Sequence, residues 1–390
     1  MVRNRKILIT AGGAALALAV SGLAPATATG GHGHFNKTKT IAELNGPRGV
    51  DTLGHGKTLV TESDGSFSLV IERKHRRAKV IRLGSLGGDF PPAIAAGRHH
   101  TIWLLTGAAA PPEEEAMRSL AGKADAPVPA SGATLFKWRP GFKKPRAVAD
   151  IAAYQAKDTD PFDLEGVPED SNPFGLAALR DGTVLVADAA GNDLLRVWPG
   201  GRIKTVARVM PRVVEVPEGL PELPPEAGGP LPPAGTPIPA EAVTTSVTVG
   251  NDGYWYVGEL RGFPATPKTS QIWRIKPGSK NAVCNPDKPR RGPCKRYADG
   301  LTSVVDLAAS PKGGILAVSL SKMSWFQLEL GVPGAEVGGL FNVNKRPHHK
   351  LRIKELVRDQ LIIPGGVDAT KRAIYVTGPI FGPGALTKIR

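Results

Sequence analysis

The chain has 390 residues, a formal charge of +15, 47 glycines, 36 prolines and two cysteines, and only 6% of its residues are aromatic. Length alone allows two or three domains, but short β-branched runs among many glycines and prolines point to short strands and frequent turns throughout. Two cysteines without neighbouring ligands exclude a cysteine-held metal cluster, and beyond the N-terminus no apolar stretch is long enough to span a bilayer.

Residues 1–28 carry Arg3, Arg5 and Lys6, then an apolar run, then small residues ending at Ala28. This is the pattern of a secretory signal peptide cleaved after Ala28, and it predicts a secreted, extracellular protein. Residues 29–36 follow as a flexible leader, and 37–390 reads as a single domain. The signal carries three positive charges and no acid, so the remaining chain is +12.

The organising stretch is 172–209, in which FGLAAL, TVLVADA, LLRVW and IKTVARV are four strands, here A to D. The turns between them, Asp181-Gly182, Gly191-Asn192 and Gly200-Gly201, hold residues that tolerate positive φ. The A–turn–B unit recurs as GPRGVDTLGHGKTLVTE, FPPAIAAGRHHTIWLLTG, TTSVTVGNDGYWYVGEL, TSVVDLAASPKGGILAVSL and IPGGVDATKRAIYVTG. Six copies of a sheet that cannot cover both of its own faces predict an all-β, six-bladed β-propeller of four-stranded antiparallel blades. The sixth copy ends at Arg390 without a D strand, and KTKTIAEL at 37–44 fits that role. The prediction is a ladder between residues near Thr40 and residues near Thr387, which closes the ring and removes two sheet edges.

In this architecture A–B and C–D turns share one face, and B–C loops and D–A crossings share the other. The C–D turns are basic, as in Arg73-Lys74-His75-Arg76-Arg77. The long insertions 109–133, 153–171 and 211–241 fall on the opposite face with net charges of −2, −5 and −4, leaving +23 on the rest of the exported chain. A two-faced disk follows, whose basic face suits an anionic cell-wall polymer, an acidic polysaccharide or a membrane surface. Without interleaved aromatics the basic runs do not favour nucleic acid. The insertion 211–241 is dominated by proline, so an extended flap poor in regular structure is expected. Cys284 and Cys294, the only pair, are expected to form a disulfide that pins a basic excursion.

Polar residues at the loop-bearing mouth of the channel are the candidate ligand-binding set: Glu62, Asp188 and Glu259 at B-strand ends, and Asn172 and Thr245 ahead of A strands. Arg261 and Phe263 of VGELRGFP join them. Carboxylates around a pore suit Ca²⁺ or Mg²⁺ through oxygen ligands; they equally hold loops by accepting backbone N–H bonds. His55, His99 and His100 fall in A–B turns and His75, His348 and His349 in C–D turns, so no histidine base stands at that mouth, and no catalytic residue is assigned.

Taken together, NPFGLAAL, VADAAGNDLLRV, TTSVTVG, YWYVGELRGFP, LTSVVDLA and PGGV resemble the ScyD/ScyE family of exported bacterial proteins over nearly the whole exported chain. The resemblance implies a six-bladed, NHL-like propeller and leaves the activity open. More distantly the chain is similar to lactonase and strictosidine-synthase-like propellers, but Asn45 and Pro364 stand where a lactonase-type metal site needs acids. Three functions are therefore carried forward: a monomeric ligand-binding propeller, a small-molecule hydrolase or lyase with a divalent cation at the channel mouth, and a matrix protein using the basic face.

Overall fold

The computed structural model describes residues 37–108, 132–221, 230–345 and 351–390. The signal peptide with its site at Ala28, the leader, most of insertion 109–133, part of 211–241, and His348 and His349 lie outside the described residues.

Six four-stranded antiparallel sheets form the blades. Their A strands are Val50–Gly54, Ala93–Ala96, Pro173–Ala178, Thr244–Val249, Val304–Ala309 and Gly366–Thr370, in blades 1 to 6. Each touches the A strands before and after it, and the sixth touches the first, so the ring closes. In blade 3 the turns carry φ of +89° at Gly182, +47° at Asn192 and +86° at Gly201, the conformations those residue types permit.

Closure uses the N-terminal strand Thr38–Asn45, which pairs antiparallel with Pro383–Ile389, Thr40 facing Thr387. Lys37 and Arg390 exchange backbone hydrogen bonds of 3.2 and 3.0 Å at the end of this ladder.

The core lies between blades. Each of the six interfaces holds its own apolar cluster, for example Leu185, Leu194, Val257, Trp273 and Ile275 between blades 3 and 4. Alternation along each strand sends one set of side chains to the blade before and the other to the blade after, so no blade is dry alone. A side chain as large as the fully buried Trp273 contributes roughly 2–3 kcal/mol through burial.

Three elaborations depart from the repeat. The ends of the proline-rich insertion pair as a hairpin, Arg212–Glu215 with Pro237–Ala240, where an irregular flap was expected. Prolines 237 and 239 enter this ladder because an edge position does not require their missing N–H. In blade 4 the excursion between the C and D strands sends Ala282–Cys284 to pair parallel with the outer strand Ile203–Val209 of blade 3. The Cys284–Cys294 disulfide, Cα atoms 5.1 Å apart, ties that strap to its own blade. Among the described residues, two short helices, α1 (Ala152–Gln155) and α2 (Trp325–Glu329), lie in loops of the crossing and B–C side. Among the described residues no helix is long and apolar enough to cross a membrane.

Candidate functional site in the axial channel

The loop-side ends of the A strands are buried, as in 46–50, 91–95, 242–247 and 363–367. Toward the A–B turns the same strands become half-exposed at Asp51, Ala96, Ala178, Val249, Ala309 and Ala369. The axial channel is thus closed on the loop side and accessible from the turn side, where alanines leave room. Between lies a cavity of about 270 Å³ lined by all six A strands.

Arg48 forms the closed end. Its side chain, only 6% exposed, donates to the carbonyls of Pro91 at 3.1 Å and of Phe174, and its guanidinium stands 3.7 Å from the Phe174 ring centre. One residue of blade 1 thereby reaches across the axis to blades 2 and 3. Gly49, next in the chain, is obligatory, because a Cβ there would lie 2.6 Å from Thr61 Oγ1 and 2.8 Å from the Pro92 carbonyl. Burial pushes the Arg48 pKa down to about 10, while the nearby Asp306 opposes that shift.

Below Arg48 one half of the wall is acidic. Asp51 and Asp368 hold the same strand position, each one residue past a Val–Val pair, Val50 with Val60 and Val367 with Val376. Asp306 of blade 5 sits one step earlier along its strand, opposite Val318. Each carboxylate also staples the next blade. Asp306 accepts from the Val367 N–H at 2.7 Å, Asp368 from the Thr52 N–H at 2.6 Å and Oγ1 at 2.8 Å, and Asp51 from the Ala96 N–H at 2.8 Å. The A strands of blades 2, 3 and 4 carry no carboxylate, so the fold joins blades without one and three acids exceed what closure requires.

Although each is half-exposed to the channel, desolvation within it is the largest influence on all three. It raises Asp306 to about 7 and lifts Asp51 and Asp368 above the usual carboxylate range, and the Asp368 charge raises Asp51 further. The channel therefore favours neutral carboxyls or a bound positive charge.

The candidate residues at the loop-bearing face are distributed over blades 1, 3 and 4; Asp188 meets Asn172 and Glu259 meets Arg261, but the set does not converge on one site. The Glu62 carboxylate accepts from the Asn45 N–H at 2.8 Å. Asp188, fully buried, accepts from Ser171 Oγ at 2.7 Å, the Asn172 N–H at 2.7 Å and the Gly191 N–H at 3.2 Å. The Asn172 side-chain oxygen accepts from the Ala108 N–H at 3.1 Å, and Thr245 Oγ1 donates to the Val304 carbonyl at 2.6 Å. Glu259 and Arg261 are 0% and 1% exposed, form an ion pair with each other, and are also held by Trp273 Nε1 and the Ala240 and Glu241 carbonyls. Phe263 packs edge-on to Phe326 of α2 at 5.4 Å. These contacts anchor loops, the role that carboxylates at strand ends commonly take. Among the described residues, no three His, Cys, Asp or Glu side chains converge as a metal site, including the positions considered for Ca²⁺ or Mg²⁺.

Reading the sequence at B-strand ends on the loop side passed over Asp51, Asp306, Asp368 and Arg48. The signal was present in the repeats themselves, as Gly-Val-Asp at 49–51 and again at 366–368.

No protein-family profile matches the chain, and no curated protein is similar to it in sequence. Solved propellers are similar in fold. A glucose dehydrogenase superposes with a TM-score of 0.52 at 12% identity, over 91% of this chain and 99% of its own. The PQQ-bound aldose sugar dehydrogenase of Streptomyces coelicolor gives 0.50 at 12%, over 91% and 98%. A streptogramin B lyase gives 0.45 at 11%, over 91% and 98%.

Proposed function

We propose that the protein is an exported ligand-binding propeller that takes a small organic cation into the axial channel from the turn face. The observation that carries this reading is the acidic half-wall of Asp51, Asp306 and Asp368 in a closed-ended cavity. An ammonium group with several N–H donors spans carboxylates that do not converge on one metal ion, and it offsets their burial. Export is supported by the pattern of residues 1–28 and by the disulfide. Propellers of one architecture serve many chemistries, so the solved neighbours support the fold of this reading and not its ligand.

The test is calorimetric titration with a panel of small amines, and with Ca²⁺ and Mg²⁺, against wild type and an Asp51→Asn, Asp368→Asn double variant. Cation binding selects the ionised carboxylates, so affinity is expected to rise from about pH 5 to about pH 8 with release of protons to the buffer. The double variant should bind at least about tenfold more weakly. Equal binding by both proteins, or affinity that falls as pH rises, removes the proposal.

A second reading rests on Asp51 and Asp368 as neighbouring carboxyls that influence each other's ionisation, an arrangement able to supply one acid and one base. A hydrolase or lyase of this kind would lose turnover on Asp51→Asn while keeping ligand affinity.

A further inference from the structure

On the turn face, between blades 4 and 5, lies a second cavity of about 700 Å³, separate from the channel. Its floor is aromatic, with Tyr256 and Tyr297 edge to face at 4.9 Å. One wall is the pair Asp252 and Arg274, in which Arg274 Nε lies 2.9 Å from the carboxylate and 3.1 Å from the Tyr256 hydroxyl. The other wall comes from blade 5 and carries Lys312, Asn344 and Lys345. Asn251 Nδ2 donates to the Ser310 carbonyl at 2.9 Å, which fixes the two walls relative to each other.

Two details favour a ligand here. The Asn344 side-chain oxygen is buried in the lining and has no hydrogen-bond partner among the described residues, a state that costs about 1–3 kcal/mol unless something donates to it. Lys345, 5.0 Å from the Tyr297 ring centre, has its pKa lowered by burial and then by the charges of Arg274 and Arg290, so several positive charges lie near one another there.

We infer that this groove binds an acidic oligosaccharide, a sugar chain bearing carboxylates. The lining asks for a ligand that both donates and accepts. Hydroxyls donate to Asn344 and Asp252, and a carboxylate accepts from Lys345. Inorganic phosphate offers no comparable set of donors.

The experiment is calorimetric titration of the full exported chain with tetragalacturonate, its methyl ester and inorganic phosphate, followed by hydrogen exchange at 250–256 and 312–315. Saturable binding of the free acid is expected, with protection of both segments. Lys345→Gln and Asn344→Ala should each weaken it by about fivefold or more, with neither variant unfolding at a lower temperature than wild type. The inference is overturned by equal binding of the methyl ester, by phosphate binding as well as the sugar, by no saturable binding, or by variants that fold and bind as wild type.

Discussion

Glu259 and Arg261 show how a single pair of residues sets a loop. Both are buried, and Arg261 has a φ of +73°, a conformation that costs a non-glycine residue energy and persists only where surroundings impose it. Its guanidinium repays this by holding Glu259 and the carbonyls of Ala240 and Glu241. Glu259→Gln leaves a buried arginine without its counter-charge, and a loss of about 3–5 kcal/mol is expected in denaturant unfolding. Asp306 makes a prediction of different kind. Its proton is held more tightly in the folded chain, where its pKa is about 7, than at the ordinary value of 3.8. The folded state therefore carries the extra proton between those values, and stability is full below that window and declines as pH rises through it. Asp306→Asn keeps an acceptor for the Val367 N–H but has no charge to bury. It should flatten the fall in melting temperature between about pH 4 and about pH 8, and stabilise by about 2 kcal/mol at the upper end. A variant whose melting temperature falls as steeply as that of wild type contradicts this.

At the level of strands and turns, the repeat was legible because each blade spells its own punctuation. Gly182, Asn192 and Gly201 mark turns by residue type, and KTKTIAEL matched the outer-strand pattern that it fills in blade 6. What was not legible arises from packing between blades. Nothing in Asn344 or Tyr297 alone announces a groove, since its walls come from different copies. The strap Ala282–Cys284 was equally hidden, because its partner is a strand more than seventy positions earlier, and a parallel pairing of three residues leaves no periodic trace. Asp51 and Asp368 were visible as letters but indistinct as function, since an acid in an A strand looks like an ordinary solvent-facing position. The disulfide stabilises the strap by restricting the unfolded chain; Cys284→Ser with Cys294→Ser is expected to cost about 2–3 kcal/mol by denaturant titration, with exchange faster in 203–209 as well as in 282–284. Faster exchange confined to 285–293 would show the strap independent of its clasp.

For the whole molecule, both proposed ligand sites open on the turn side, where the basic clusters of the C–D connections lie, while the acidic crossings occupy the other side. A disk approaching an anionic polymer by its basic face would bring the groove to that polymer and enclose the channel mouth beneath it, leaving the acidic loops outward. The strap adds a mechanical consequence. Among the described residues, blades 3 and 4 are joined along their outer rim by a three-residue parallel backbone ladder as well as by side chains. Under tension drawn between the ends, the seam at Thr38–Asn45 would be the first to peel, and the two sewn blades would hold together as one tooth of the wheel until the stitch tore.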